Sequence, residues 1–578
     1  MMIRRFKQWV WMLVVGGILV VGCTVEEKGM KPNADWSRGL PIGQFARGAA
    51  TVATDEGGTA VNIVWPTDIN GEDGLRYVLL GGSGEIEAQY DLSLPAGMAR
   101  QPQLMSGADQ EIDLVWAQRL VGARGWTLWH GVLEAEVGLV ESQPLTDEEM
   151  EVGQYDIAAD GEGGLWLVWE NLADDSIYGG YVDREGVWGG GYQLSEGSDP
   201  GVVEGDDEQL YLVWMANNWL QFGEVEADWT IAEPVAVRNL ALSQGDILVG
   251  PDVRVADGWA YLFWGIFSTS GLESGVGHTD YIMINLTDMS MTVPERMFLS
   301  PAEKLPYEAH EGDYNLSELV TPQDVRGSSS YVFQGSVAPI FGDEVLIAVS
   351  MEQAMGMGAR NQLAVGLFRE GVFEGYGMAA RTASVSQNPA ISVDGEGDIH
   401  LVWQEGGSGR RIFYATTEPT LRQNIDQLTA DDVLPLILNG GVDMVVGLLF
   451  FWLGVVWLGP GLAFLYAAQW RGYLTELDER LSQILVVMAV ILAQVSKFTF
   501  IESMKSYVPF SAWIDIPVDW VEILRVGVPV SFVLISLVVT WLIGRRRYMS
   551  PTVFYFTWMG IDALLTLAIY GVTLVGSV

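Results

Sequence analysis

Two histidines share one stretch of chain with several carboxylates. His278-Thr-Asp280-Tyr281 and Tyr307-Glu308-Ala-His310-Glu311-Gly-Asp313 both fall between residues 265 and 330. Imidazole and carboxylate groups a few residues apart are the donors a divalent metal takes, and a carboxylate pair is what acid–base work on a sugar requires. His278, Asp280, His310, Glu311 and Asp313 are therefore the candidate site residues of the body of the chain. Their spacing matches no known metal motif, and in so acidic a segment the same groups also read as a solvated loop.

Two further features bear on chemistry. Asp55-Glu-Gly-Gly58, Asp160-Gly-Glu-Gly163, Asp257-Gly258 and Asp394-Gly-Glu-Gly397 repeat along the chain. Their oxygens suit Ca²⁺, the one cofactor left open, but none completes an EF-hand loop, and Asp-Gly is equally the signal of a tight hairpin turn. Asp562 lies near mid-depth in the last of four long apolar segments. An ionisable group there is a candidate for proton or ion handling, with a hydrogen-bonded structural contact as the alternative. No nucleophile elbow, phosphate loop or dinucleotide fingerprint stands in a strand–turn–helix setting, which favours a non-enzymatic protein.

The elements that must position these groups are marked by a repeat. Val61-Asn-Ile-Val-Trp65, Ile112-Asp-Leu-Val-Trp116, Leu165-Trp-Leu-Val-Trp169, Leu210-Tyr-Leu-Val-Trp214, Trp259-Ala-Tyr-Leu-Phe-Trp264 and Ile399-His-Leu-Val-Trp403 recur about every 50 residues, with a weaker copy at Val345-Leu-Ile-Ala-Val349. A short apolar strand and an Asp-Gly turn precede the phrase, and an alternating strand follows it. Apolar side chains on successive positions demand burial on both faces, the condition met inside a blade sandwiched between neighbours. The phrase predicts an all-β propeller of about seven blades, with six or eight also compatible, and makes the tryptophans core residues.

This region, 45–416, resembles the sialidase-like β-propellers, most closely at Pro389–Ala415. The resemblance implies fold only. Ser392-Val-Asp394-Gly-Glu-Gly397 opens like an Asp-box but lacks its Gly and Trp spacing, and no Arg-Ile-Pro motif stands near the start of the domain.

Both ends of the chain read as membrane-seeking. Arg4, Arg5 and Lys7 precede the apolar run Trp9–Val21, the pattern of an export signal too short to span comfortably. The ending Leu19-Val-Val-Gly-Cys23 resembles the lipobox of bacterial lipoprotein precursors. That resemblance implies lipidation of Cys23, the single cysteine of the 578 residues. Near the other end, Val442–Trp470, Leu481–Ile501, Val521–Ile543 and Val553–Val578 predict a bundle of about four transmembrane helices, with a possible interfacial helix over 431–439. Arg471, Arg480 and Arg545–Arg547 assign the first and third loops to the cytoplasm. Lys497 falls near an outer end, where its amine is expected to snorkel to the surface.

The expected organisation is a signal peptide (1–22), a lipidated tether (23–43), a propeller ectodomain (44–418), a linker (419–441) and a four-helix membrane domain (442–578). The predicted location is the cytoplasmic (inner) membrane of a bacterium, with the propeller outside. Tethers at both propeller ends suggest that its termini face the membrane and that residues 265–330 lie on the opposite side. The formal net charge is −43; residues 24–430 carry 20 basic and 63 acidic groups, and the flanks cancel. Such a body repels nucleic acid and anionic lipid. A binding or scaffold protein for an extracellular protein or glycan, a surface glycoside-acting hydrolase, and a signalling or transport component are the three readings that survive.

Overall fold

The computed structural model describes residues 32–578 except 55–57, 59, 70, 107–110, 148–149, 162, 206–207, 271–275, 302–306, 322–329, 339–340, 356–357, 383, 407–409, 428–443, 445–446, 502–517, 546–547 and 571–578. The signal, Cys23 and the expected interfacial helix lie outside the described residues. The propeller and the helical region are separate compact units, taken in turn.

The repeat folds as seven blades. They span 51–91, 97–144, 152–196, 198–239, 246–296, 298–378 and 386–416, each an antiparallel sheet of four strands, with a fifth short strand in blade 6. The apolar phrase is the second strand of every blade. Its tryptophans Trp65, Trp116, Trp169, Trp264 and Trp403 are fully buried. The weaker copy, inside Glu344–Met355, is buried as completely, from Val345 to Val349. Seven inner strands surround the axis, each touching the next: Thr51–Thr54, Gly97–Ser106, Val152–Ala159, Ser198–Glu204, Asp246–Ala256, Ser330–Val337 and Ser386–Val393.

The ring closes with strands from both ends of the domain. Leu40–Gly43 forms the outermost strand of blade 7, with Leu40 opposite Tyr414 and Pro41 opposite Phe413. Closure of this kind leaves no open sheet edge between first and last blades. Residues 33–43 are thus part of the propeller and not of a tether. Trp36 is fully buried among Leu316, Ala379 and Trp403, and Asn33 Nδ2 donates to the Met378 carbonyl. The other end is pinned as well. Helix α1 (Pro419–Asp426) starts at an N-cap, Glu418, whose carboxylate accepts the Thr420 and Leu421 amides. It buries Leu421 and Ile425 against blades 7 and 1, and Asp426 accepts the Arg38 amide at 2.8 Å. A stretch expected to be linker is therefore a cap on the propeller.

Among the described residues, the helical region contains four helices long and apolar enough to cross a membrane. They are α2 (Gly454–Trp470), preceded by a 3₁₀ turn, α3 (Arg480–Phe500), α4 (Val518–Gly544) and α5 (Pro551–Tyr570). Their outer surface is apolar, unlike that of a water-soluble bundle. Val455, Ile484, Ile491, Leu534 and Trp541 face outward, while Ser482, Lys497, Thr540, Asp562 and Thr566 are buried. The interior is itself mainly apolar, with Trp457, Leu465, Met559 and Leu567 in its core, and an apolar exterior with a few polar groups tucked between the helices is what a hydrocarbon solvent selects. α5 touches each of the other three. Gly461 permits the closest approach: a Cβ there would meet Tyr555 Oη at 2.1 Å and the Ala489 carbonyl at 2.5 Å.

Candidate functional site: the channel mouth

The sequence candidates do not assemble into one site. Asp280 is held by Arg296 through both nitrogens, Nε–Oδ1 at 2.7 Å and Nη2–Oδ2 at 3.2 Å, with His278 Nε2 3.8 Å from Oδ2. His310 stands elsewhere, 3.3 Å from Glu344, a residue the sequence reading passed over. Glu344 is fully buried, and its carboxylate gathers Arg369 and the backbone amides of Asp313 and Tyr314. It acts as an anchor that fastens the 308–319 hairpin to blade 6. Glu308, Glu311 and Asp313 are exposed, and Asp313 accepts the Asp343 amide instead of facing His310. Among the described residues no three His, Cys, Asp or Glu side chains converge in a geometry that holds a metal ion. The turn carboxylates are engaged by their own backbone: Asp394 Oδ1 accepts the Glu396 and Asp398 amides, and Asp160 Oδ1 accepts the Gly164 amide.

For the 308–319 part of this segment the expected orientation is corrected too. Asp35, in the N-terminal approach to blade 7, accepts from Ser317 Oγ and from the Ser317 and Glu318 amides. The 308–319 hairpin is therefore on the termini-bearing side of the propeller, not opposite it. The second strand of that hairpin, Glu318–Leu319, runs beside the outer strand of blade 6, which draws the insertion back along the blade edge.

Polar side chains converge instead at the central channel. Six inner strands break register near their start: between Arg100 and Gln103, Val152 and Tyr155, Ser198 and Gly201, Val249 and Asp252, Phe333 and Ser336, and Gln387 and Ala390. Four of the bulges carry a polar residue in the left-handed region: Gln101 (φ 50°), Asp199 (51°), Gln334 (61°) and Asn388 (51°). A positive φ re-aims the side chain and, outside glycine, is held only where the surroundings compensate. Proline follows three of them, at Pro102, Pro200 and Pro389, and Pro251 follows the left-handed Gly250 (φ 79°) in a fifth bulge. It is tolerated because an innermost strand has a free edge toward the channel.

These groups meet across blade boundaries. Gln101 Nε2 donates to Gln154 Oε1 at 2.7 Å, and the Asn388 amide donates to Gln334 Oε1 at 2.9 Å. Asn388 Nδ2 reaches Gln404 Oε1 at 2.9 Å. Glu170 accepts the Gln154 amide at 3.2 Å, and Asp199 accepts from Ser198 Oγ. Burial pushes both carboxyl groups above the ordinary carboxylate range, Glu170 further raised by the charges of Asp199 and Asp175.

Deeper in the channel lie Asp156, Asp252 and Arg254. Asp156 Oδ2 accepts the Val202 amide at 3.0 Å, stitching blade 3 to blade 4. Arg254 donates to the Ala338 and Val337 carbonyls at 3.0 and 3.2 Å, stitching blade 5 to blade 6. Both are structural ties. Desolvation, with the nearby Asp156 charge adding to it and Arg254 opposing it, pushes the Asp252 carboxyl up to about 7. A group titrating near neutrality in a channel suits proton transfer.

The signal for this mouth was present in the sequence. Pro102, Pro200 and Pro389 each stand 14 residues before the tryptophan of their blade, and Pro251 stands 13 before Trp264. The residue preceding each proline is Gln101, Asp199, Asn388 or Gly250, so the repeat itself marks the bulge.

The chain as described is a seven-bladed propeller with a polar channel mouth, continued by four helices of membrane-spanning length and composition. No family model matches it, and no curated protein matches its sequence. Among solved structures it is similar to the polysaccharide lyase Uly1 (10% identity, TM-score 0.40, 68% of this chain and 92% of that one). It is also similar to the β-propeller domain of the Trilobed protease from Pyrococcus furiosus (9%, 0.37, 64% and 94%). A third is the Penicillium chrysogenum alpha-L-arabinanase (10%, 0.36, 65% and 98%).

Proposed function

We propose that this protein is a membrane-attached surface lipoprotein whose propeller binds a polyhydroxylated ligand, a glycan, at the bulged mouth of its channel. One observation carries the reading: polar side chains from several blades converge at the bulges that open the inner strands. Amides both donate and accept, and carboxylates accept, which matches hydroxyl groups that do both. The acidic surface argues against nucleic acid as the partner. The export signal and Cys23 support a lipid-anchored N-terminus outside the cytoplasmic membrane, with the four helices as a second attachment. The test is an array of neutral and acidic oligosaccharides probed with the full chain in detergent. The parent is expected to retain a subset of glycans that a Gln101→Ala/Gln154→Ala/Asn388→Ala variant releases. Equal retention by both would remove the channel mouth as the site.

A second reading, hydrolysis of the bound glycan, is favoured by Asp252. Burial, with the Asp156 charge adding to it, raises the Asp252 carboxyl to about 7, the kind of tuning that a general acid in glycosidic cleavage uses. Release of reducing sugar by the parent and its loss in Asp252→Asn, with glycan binding retained, would establish it.

A further inference from the structure

The turn between the third and fourth strands is built alike in three blades. Gly84 and Gly186 donate their amides to the Gly81 and Asp183 carbonyls, both at 2.8 Å, and are left-handed (φ 78° and 77°). In blade 4 the same bond runs from Trp229 to the Glu226 carbonyl at 2.8 Å, and Trp229 occupies the left-handed position (φ 64°). A bulky side chain there is a steric outlier at a place where two sister turns use glycine. Backbone strain of this kind points from an observed outlier to a role for the side chain it presents.

The indole reaches across to blade 3. A Cβ on Gly179 would meet Trp229 Cζ3 at 2.7 Å, so that glycine leaves room for the ring. Trp229 stacks on Tyr192 with centroids 5.2 Å apart and meets Trp166 edge-on at 5.6 Å. Trp166 in turn lies 4.5 Å from Tyr181 at 45°. The four rings line a cleft of about 400 Å³ together with Glu208 and Glu226, and among the described residues no lysine or arginine lines it. Tyr192 is 46% exposed and Glu226 is exposed, so the cleft is open to solutes.

We propose that this cleft between blades 3 and 4 is a binding site for a small quaternary ammonium ion. Aromatic faces attract a desolvated cation through their quadrupole, and two carboxylates without a basic neighbour add charge complementarity. The same carboxylates disfavour a cation that carries its own phosphate, so the ligand is a simple ammonium solute such as choline and not a phospholipid headgroup. The site is independent of the channel mouth.

Equilibrium dialysis of the full chain in a non-ionic detergent tests it, with choline chloride as the probe and 3,3-dimethylbutan-1-ol as its uncharged counterpart. Choline is expected to bind saturably, and the alcohol at least about fivefold more weakly. Trp229→Gly restores the residue that the sister turns use. It is expected to leave the melting temperature unchanged or higher while weakening choline about tenfold or more. Tyr192→Ala, on a half-exposed ring, is the second variant and is expected to weaken choline without unfolding the propeller. Absence of saturable choline binding, or equal binding of the alcohol, overturns the proposal. So does unchanged choline affinity in both variants, which would leave Trp229 as an inter-blade clasp alone.

Discussion

The Lys497 amine lies 2.9 Å from Asp562 Oδ2 and 3.1 Å from Oδ1, joining α3 to α5 with both side chains fully buried. Gln494 Nε2 adds a donor to the same carboxylate at 3.1 Å, and Thr566 Oγ1 lies 3.4 Å from the amine. Lys497 is therefore paired inside the helical region instead of reaching for the surface: the packing of α3 on α5 supplies its partner.

Breaking this pair from one side strands a charge among apolar helices. Asp562→Leu and Lys497→Met are each expected to destabilise the helical region by about 3–5 kcal/mol. The double variant Lys497→Met/Asp562→Leu is expected to recover most of that loss, because it removes both desolvation costs together. Thermal unfolding in detergent, followed by helical circular dichroism, is the check. Additive losses in the double variant would mean that the two charges act separately.

Asp252 sets a pH dependence with a definite sign. Its carboxyl is raised from 3.8 to about 7 in the folded protein. Between those values the folded state keeps a proton that the unfolded chain gives up. The stabilisation is fully present below pH 3.8 and is lost as pH rises through about 7. Relative to the parent, Asp252→Asn is expected to gain stability at pH 8, on the order of 1–3 kcal/mol, and nothing at pH 4. Urea unfolding of both proteins across this range measures the difference. A parent and variant that run parallel would place Asp252 in contact with bulk solvent.

Trp169 and Trp403 test the blade core. Each is buried to within 1% of complete, and Gly191 and Gly39 make room for their rings, since a Cβ at either would come within about 3.0 Å of the indole. Replacement of either tryptophan by alanine is expected to cost about 3–5 kcal/mol of propeller stability. Denaturant melts monitored by strand circular dichroism give the value, and a loss below about 1 kcal/mol would remove these residues from the load of the core.

What the sequence disclosed and what it hid follow from how local each constraint is. A second strand buried on both faces is apolar at most positions, so Leu-Val-Trp survives as a readable phrase and even Val345–Val349 stands out. The four helices are legible for the same reason, since hydrocarbon demands a continuous apolar run. The closing strand Leu40–Gly43 carries no such demand: it is short, an edge, and holds Pro41 and Gly43. Glu344 stands 34 residues from His310, and Asp562 stands 65 from Lys497, so their pairing is decided by packing and not by spacing. The channel mouth was half legible, as a proline 13 or 14 residues before the tryptophan in four of the blades.

Hydrogen exchange of the full chain with and without a soluble mixture of oligosaccharides tests the channel-mouth site most directly. The expected result is protection at the starts of the inner strands, over residues 99–103, 152–156, 198–201, 332–336 and 386–390, with none at the Asp-Gly turns around Asp160 and Asp394. Protection confined to those turns, or absent from every inner strand while the glycans are bound, would contradict it.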